Sequence, residues 1–299
     1  MTSHVENTRE FDLDAADGTP IFVRDWPPTN PANATNTALP QQQGVLIMHG
    51  LGEHCGRYSH VARFFNALGF VVRTYDHRGH GKSGGAVGDV PDNHAMLDDA
   101  QMVLADFRQQ LSGPPILLGH SMGGLFAARF ALEHQNDLRA LILSSPALAI
   151  RMSGFQQGLL KTAFRLIPGV GLPNGLQTRY LSHDAEVVQA YKNDALVHGR
   201  LSARLLTSML TAMAYCHEHA AELHMPALLM VADDDHLVDP DGSRRFAQKV
   251  NETWLSSHFY AGFYHEIFNE LDATRVFDDL RTWLEVQQFT PLEMDQRAA

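Results

Sequence analysis

Ser121 stands at the centre of Gly119-His120-Ser121-Met122-Gly123, within LLGHSMGG. An apolar stretch, PPILLGH (114–120), precedes it, and MGGLFAARFALEH follows with helical spacing. A serine in G-x-S-x-G between a strand and a helix is a candidate nucleophile, lifted above the sheet edge by a sharp turn. Such a turn leaves no room for side chains two positions either side, which accounts for the glycines. The helix starting there presents free N–H groups and a positive dipole end. A chance pentapeptide in a Gly-rich turn has no reason to carry this context.

A serine hydroxyl is a weak nucleophile at neutral pH and needs a base, itself oriented by a carboxylate. Beyond such an elbow the partners follow in the order acid, then histidine, on loops after later strands. ALLMVA runs into Asp233-Asp234-Asp235-His236-Leu237-Val238-Asp239, and SSHFYAGF runs into Tyr264-His265-Glu266. His265 lies just past the last strand, whereas His258 falls within that strand's pattern. Among the acids the reading favours Asp235, which precedes the apolar pair Leu237 and Val238. Asp233 and Asp234 are left to cap the loop or face solvent, and Asp239, before Pro240, to cap a helix.

These residues need a scaffold, and the chain supplies its rhythm. VLIMHG (45–50), FVVRTYDH (70–77), PPILLGH (114–120), LRALILSSPAL (138–148), PALLMVADD (226–234) and WLSSHFYAGF (254–263) read as buried strands, separated by amphipathic helices. Continuous apolar strands alternating with helices predict an α/β fold with a mostly parallel sheet covered on both faces. Ahead of it, EFDLDAADGTPIFVRDW predicts a β-hairpin with a primed turn at Asp17-Gly18. Residues 27–44, rich in Pro, Asn, Thr and Gln, predict a loose connection. Between 147 and 224 the alternation stops, and only helix-like segments and turns occur. The expected organisation is a core in two parts, 1–146 and 225–299, with a helical cap at 147–224 inserted between core strands.

Composition narrows the function. The 299 residues are 44% hydrophobic and 19% charged, enough for one large core. The formal net charge is -11 and no basic block occurs, which argues against a nucleic-acid partner. The N-terminal MTSHVENTREFDLD has no signal-peptide pattern, and no window reaches the roughly 18 apolar residues of a spanning helix. A cytoplasmic protein is expected. Cys55 and Cys216 are too few and too far apart for a disulfide framework, and Cys55 reads as a reduced thiol near a loop. Of the 17 histidines, His77 with His80, or His217 with His219 and His224, are alternatives for metal binding. No triple with a facing carboxylate stands out, so packing or solvated histidines are the preferred account. DHRGHGKSGG lacks P-loop spacing. There Asp76, His77 and Arg78 are expected to hold neighbouring loops together.

HGLGEHCGRY, YDHRGHGKSGG, LLGHSMGG, ADDDHLVD and YAGFYHEIFNE occur in this order over most of residues 45–270. Together they resemble the α/β-hydrolases, and more narrowly the monoacylglycerol lipase/lysophospholipase group (serine aminopeptidase S33-like, hydrolase-4). The elbow is common to the whole fold; the HGxGEHxxRY and DHRGHGxSxG blocks are more specific. The resemblance implies an eight-stranded α/β-hydrolase sheet with a helical cap. It implies Ser121, Asp235 and His265 as the triad and the N–H groups of Leu51 and Met122 as the oxyanion hole. Glu53, Arg57 and Tyr191 become candidates for the glycerol end of the pocket, and the cap's inner face for the acyl chain. His54 is expected to be a structural hydrogen-bonding residue. The implied reaction is hydrolysis of a small lipid ester, a monoacylglycerol, without metal or cofactor. A broader carboxylesterase or lysophospholipase is the alternative, and a non-catalytic binding protein on the same fold predicts a broken triad. Two departures stand out: Leu51 replaces a residue that is often smaller, and the cap is divergent. Residues 150–172, apolar with Arg151, Lys161 and Arg165 interspersed, are either a lipid-touching cap surface or a helix packed on the core.

Overall fold

The computed structural model describes residues 8–27 and 42–289. The expectations for the extreme N-terminus and for most of the 27–44 connection lie outside them. In chain order the elements are β1 (Arg9–Asp14), β2 (Pro20–Trp26), β3 (Gly44–Met48), α1 (Ser59–Ala67), β4 (Val71–Tyr75), α2 (Ala95–Arg108), β5 (Ile116–His120), α3 (Ser121–Glu133) and β6 (Ala140–Ser144). There follow α4 (Gly154–Leu166), β7 (Leu172–Pro173), α5 (Ala185–Asn193), β8 (Arg200–Leu201), α6 (Ala203–His219), β9 (Ala227–Ala232), α7 (Pro240–Ala247), β10 (Leu255–Tyr260) and α8 (Ala273–Val286).

Eight strands form one sheet in the order β1-β2-β4-β3-β5-β6-β9-β10. The pairs β1–β2 and β2–β4 are antiparallel, and every other pair is parallel. This is the α/β-hydrolase sheet. The apolar runs arise because each central strand is buried on both faces. In β3, Val45 and Ile47 pack with Val61 and Phe65 of α1 and Leu280 and Trp283 of α8. Leu46 and Met48 point the other way, into a core with Val103 and Phe107 of α2, Phe126 of α3 and Phe246 of α7.

The strands are shorter than their apolar runs. β6 ends at Ser144 although the run continues to Leu148. Ser145 has φ 38°, and Pro146 has no N–H to give to a ladder, so burial continues where pairing cannot. The hairpin forms, but its turn differs from the two-residue primed type. Asp14 pairs with Pro20, leaving a five-residue connection in which Gly18 N–H bonds Ala15 O at 2.8 Å. Gly18 takes the left-handed conformation at φ 80° and returns the chain to the ladder.

Between β6 and β9, neighbours in the sheet, the chain leaves the core and builds α4, α5, α6 and the small antiparallel pair β7–β8. Leu205, Met209, Ala212 and Cys216 of α6 join the core that holds α2 and α3. α4 is exposed along most of its length, with Ala163 its buried residue. Among the described residues no helix is long and apolar enough to cross a membrane.

One buried charge is held in the middle of the sheet. Arg73 on β4 is 1% exposed and bonds both oxygens of Asp25 on β2, at 2.7 and 2.8 Å. Its guanidinium also lies 4.8 Å from the ring centroid of Phe107. Arg73→Ala leaves Asp25 buried without its cation, so urea unfolding is expected to show a loss of about 3–5 kcal/mol.

Candidate active site

β5 passes into α3 without a spacer, and Ser121 sits at the junction with φ 53°. This left-handed conformation is strained for a residue with a Cβ and is held by the packing around it. A Cβ on Gly119 would lie 2.5 Å from Gly123 O, and one on Gly123 would lie 2.3 Å from Met48 O and 2.4 Å from His49 O. Glycine at 119 lets α3 lie close on β5, and glycine at 123 lets its first turn press onto the end of β3.

His265 and Asp235 come from the loops after β10 and β9. Ser121 Oγ donates to His265 Nε2 at 2.8 Å, and His265 Nδ1–H donates to Asp235 Oδ2 at 2.6 Å. The other oxygen of Asp235 accepts the Leu237 and Val238 N–H groups at 2.8 and 3.0 Å. The apolar pair thus steadies the loop through its amides. The remaining aspartates face elsewhere. Asp233 pairs with Arg244, Asp234 lies 3.3 Å from His236, and Asp239 caps α7 and pairs with Arg151. His258 is near Asp279 on the surface.

Burial alone would lower the pKa of His265, but the Asp235 carboxylate overrides it and holds the imidazole above its ordinary value. Burial would raise Asp235, and its contact with His265 together with the two amides brings it below the usual carboxylate range. His120, whose ring centroid is 4.8 Å from that of His265, is pushed down to about 4 by burial and by His265, so it stays neutral above that pH.

The loop after β3 lies against the nucleophile. Its Gly50 N–H is taken by Glu53 Oε1 at 2.6 Å, while the Leu51 N–H has no acceptor among the described residues. The Met122 N–H belongs to the first turn of α3, whose amides have no intrahelical acceptor. Both residues line the cavity that contains Ser121 and His265. The loop is braced from beside it. His77 N–H donates to His49 Nε2 at 2.9 Å, and Asp76 accepts from the Cys55 and Lys82 amides, each at 2.7 Å. Arg78 holds Asp99 through two bonds, at 2.6 and 2.7 Å. These are the expected tethers. His54 donates from Nε2 to Asp194 at 2.8 Å and accepts from Gly56 N–H at Nδ1. Burial pushes the thiols of Cys55 and Cys216 up, away from reactivity. Among the described residues no group of three or more His, Cys, Asp or Glu is arranged to hold a metal ion.

The cavity measures about 450 Å³. Ile150, Leu159, Leu206, Met209, Leu237 and Val238 give it apolar walls, and Leu51 lines it from the loop. Glu53, Tyr191 and Glu266 line it as well, whereas Arg57 stands outside the lining. Arg57 pairs with Glu53, bonds both oxygens of Glu266 at 2.7 Å, and lies 4.7 Å from the Tyr191 ring centroid. Tyr58 OH donates to Glu53 at 2.6 Å. Glu266 received no role from the sequence; its position directly after His265 at a strand end was the available signal. The 147–224 segment also grips the loop of His265. His265 N–H bonds Tyr180 O at 3.3 Å and Glu266 N–H bonds Leu181 O at 2.8 Å. Glu270 accepts from the Tyr264 amide at 2.7 Å and bonds His183 Nδ1 at 2.8 Å.

A serine, histidine and aspartate in one hydrogen-bonded line at the carboxyl ends of a mostly parallel eight-stranded sheet define an α/β-hydrolase with a serine in the elbow. The chain belongs to the Hydrolase_4 family (serine aminopeptidase, S33), whose model matches residues 40–272. It is 35% identical to a monoacylglycerol lipase of Mycolicibacterium smegmatis, over 80% of this chain and 87% of that protein. It is 29% identical to the monoglyceride lipase of Homo sapiens, over 90% of this chain and 88% of that protein. Among solved structures it resembles the Paleococcus ferrophilus monoacylglycerol lipase, with TM-score 0.79 and 31% identity over 88% of this chain and 98% of that one.

The electrostatics of His265 can be read directly. By NMR its imidazole is expected to titrate above the ordinary histidine value of 6.5. In Asp235→Asn the largest raising charge is gone and only the smaller pull of Glu266 and Glu53 still opposes burial, so the midpoint falls relative to the native protein. A midpoint unmoved by the substitution contradicts this account.

Proposed function

We propose that this protein hydrolyses monoacylglycerols to fatty acid and glycerol through an acyl-enzyme. The observation that carries the reading is the continuous Ser121–His265–Asp235 line opening into an apolar cavity with a polar cluster beside the base. Ser121 Oγ attacks the ester carbonyl while its proton passes to His265 Nε2. Asp235 keeps the proton on Nδ1 and stabilises the imidazolium. The Leu51 and Met122 N–H groups receive the developing oxyanion, each donor worth about 2.7–4 kcal/mol in such sites. His265 then returns its proton to the leaving glycerol oxygen. A water activated by the same nitrogen releases the acid.

In this reading residues 147–224 are a cap. Ile150, Leu159, Leu206 and Met209 receive the acyl chain, and Glu53, Arg57 and Tyr191 frame the glycerol end, Arg57 acting by fixing the two carboxylates. Relatives named as monoacylglycerol and monoglyceride lipases support the substrate class. The exposed face of α4 suits transient contact with a bilayer or micelle: Phe155 is 82% and Leu166 75% exposed, with Leu159, Phe164 and Ile167 nearby.

Ser121→Ala is expected to lose nearly all esterase activity and all labelling by a fluorophosphonate, with the circular dichroism spectrum unchanged. A panel of monoacylglycerols, p-nitrophenyl esters and lysophosphatidylcholine should show the highest kcat/KM on monoacylglycerol. Faster turnover of lysophosphatidylcholine, or retained activity in Ser121→Ala, refutes the reading. For the cap, replacing Phe155, Phe164 and Leu166 together by Ser, none of which lines the cavity, should reduce flotation with anionic or zwitterionic vesicles. It should leave hydrolysis of a short, water-soluble ester within about twofold, since such exposed positions contribute little to folding.

A further inference from the structure

The polar cluster beside His265 carries more acid than base. Glu53 and Glu266 have side chains 5% exposed, and both line the cavity. They share one cation, Arg57, whose Nη1 serves both carboxylates and whose Nη2 is given to Glu266. Two carboxylates against one guanidinium leave one unit of negative charge in a water-poor site. Glu53 is held ionised: burial would raise it, but Arg57 and the donors around it keep its pKa below the usual range. Asn269 donates to Glu266 Oε2 at 2.8 Å, adding a hydrogen bond but no charge.

Among the described residues that line the cavity, no other group cancels the surplus. His120 is neutral above about pH 4. Tyr191 is neutral, its hydroxyl pKa raised by burial and by Glu53. The proton that His265 gains during turnover is matched by Asp235. Arg151 is the cation among the lining residues, and it is two-thirds exposed and paired with Asp239 at 3.2 Å. An alcohol group leaving from His265 Nε2 therefore meets acceptors and negative charge, and among the described lining residues no free ammonium or guanidinium stands beside it.

We propose that the Glu53–Arg57–Glu266 cluster is a charge filter, with Glu266 the specificity-determining residue. It admits acyl esters of neutral or cationic alcohols and rejects those whose alcohol carries a phosphate. Glycerol hydroxyls can donate to the carboxylates, whereas a phosphate brings two charges of the same sign into a medium that screens them weakly. The inference rests on the hydrolase reading above and adds a charge class to it. It also gives the buried Arg57 a defined part: its guanidinium holds the two acids together and is unavailable to an anion.

The test is a matched series with one medium acyl chain below its micelle concentration: 1-acylglycerol, acylcholine and 1-acylglycerol 3-phosphate. The native enzyme should turn over the phosphate ester with kcat/KM about tenfold or more below the neutral ester, with the cationic ester comparable to the neutral one. Glu266→Gln should narrow the neutral-to-anionic ratio by about tenfold, and Glu266→Asp should keep it. Equal kcat/KM on neutral and phosphate esters by the native enzyme overturns the filter, whether or not the variants fold. A Glu266→Gln protein that slows on all three esters by the same factor removes Glu266 from it. If 1-acylglycerol proves no better than the ethyl ester of the same acid, the monoacylglycerol reading fails instead. That comparison involves no charge.

Discussion

The site depends on how closely α3 can approach β3. The first turn of α3 lies on the carbonyls of Met48 and His49, with space at Gly123 for a hydrogen and nothing larger. This contact brings together the loop that carries the Leu51 amide and the helix that carries the Met122 amide. It also forces the bend that puts Ser121 at positive φ. The strain at Ser121 and the closeness of the loop after β3 to the start of α3 have one cause, a steric limit set by two glycines.

The partners are aimed by backbone more than by side-chain packing. Asp235 is oriented by two amides of its own loop, and His265 by a carbonyl of the 147–224 segment. The loop after β3 is braced through His77 and Asp76 on the neighbouring turn. Buried carboxylates serve this purpose because each oxygen can accept more than one bond and tie separate segments together. Asp76 and Glu270 do so, while Glu53 folds its own loop back on itself. The region is rich in acids as a consequence, and Arg57 is drawn into holding them.

Much of this could be read from the chain, and the limits have physical reasons. The elbow was legible because a strand, a serine between glycines and a helix are local in sequence. Asp235 could be chosen from its neighbours because Leu237 and Val238 mark where the loop turns inward. The strand ends were overrun, as at Ser144, since an apolar run records burial while a ladder needs N–H groups in register. The hairpin closes with a longer loop than the primed type because Asp-Gly suits a left-handed glycine in several loop lengths. Glu266 and the commitment of Arg57 to two acids were not legible, because they join positions 209 residues apart. Charge balance in a pocket is a property of the folded surface and leaves no local pattern.

The roof of the cavity and the loop of the base are not separate modules. Tyr180 and Leu181 accept hydrogen bonds from His265 and Glu266, and His183 meets Glu270 just beyond. Segments that shape a pocket are free to diverge among relatives when they touch only substrate. Here the same stretch is hydrogen-bonded to the loop that carries His265, so a backbone shift in one is passed to the other. A graft of this region from a relative carries its own alignment of the histidine with it.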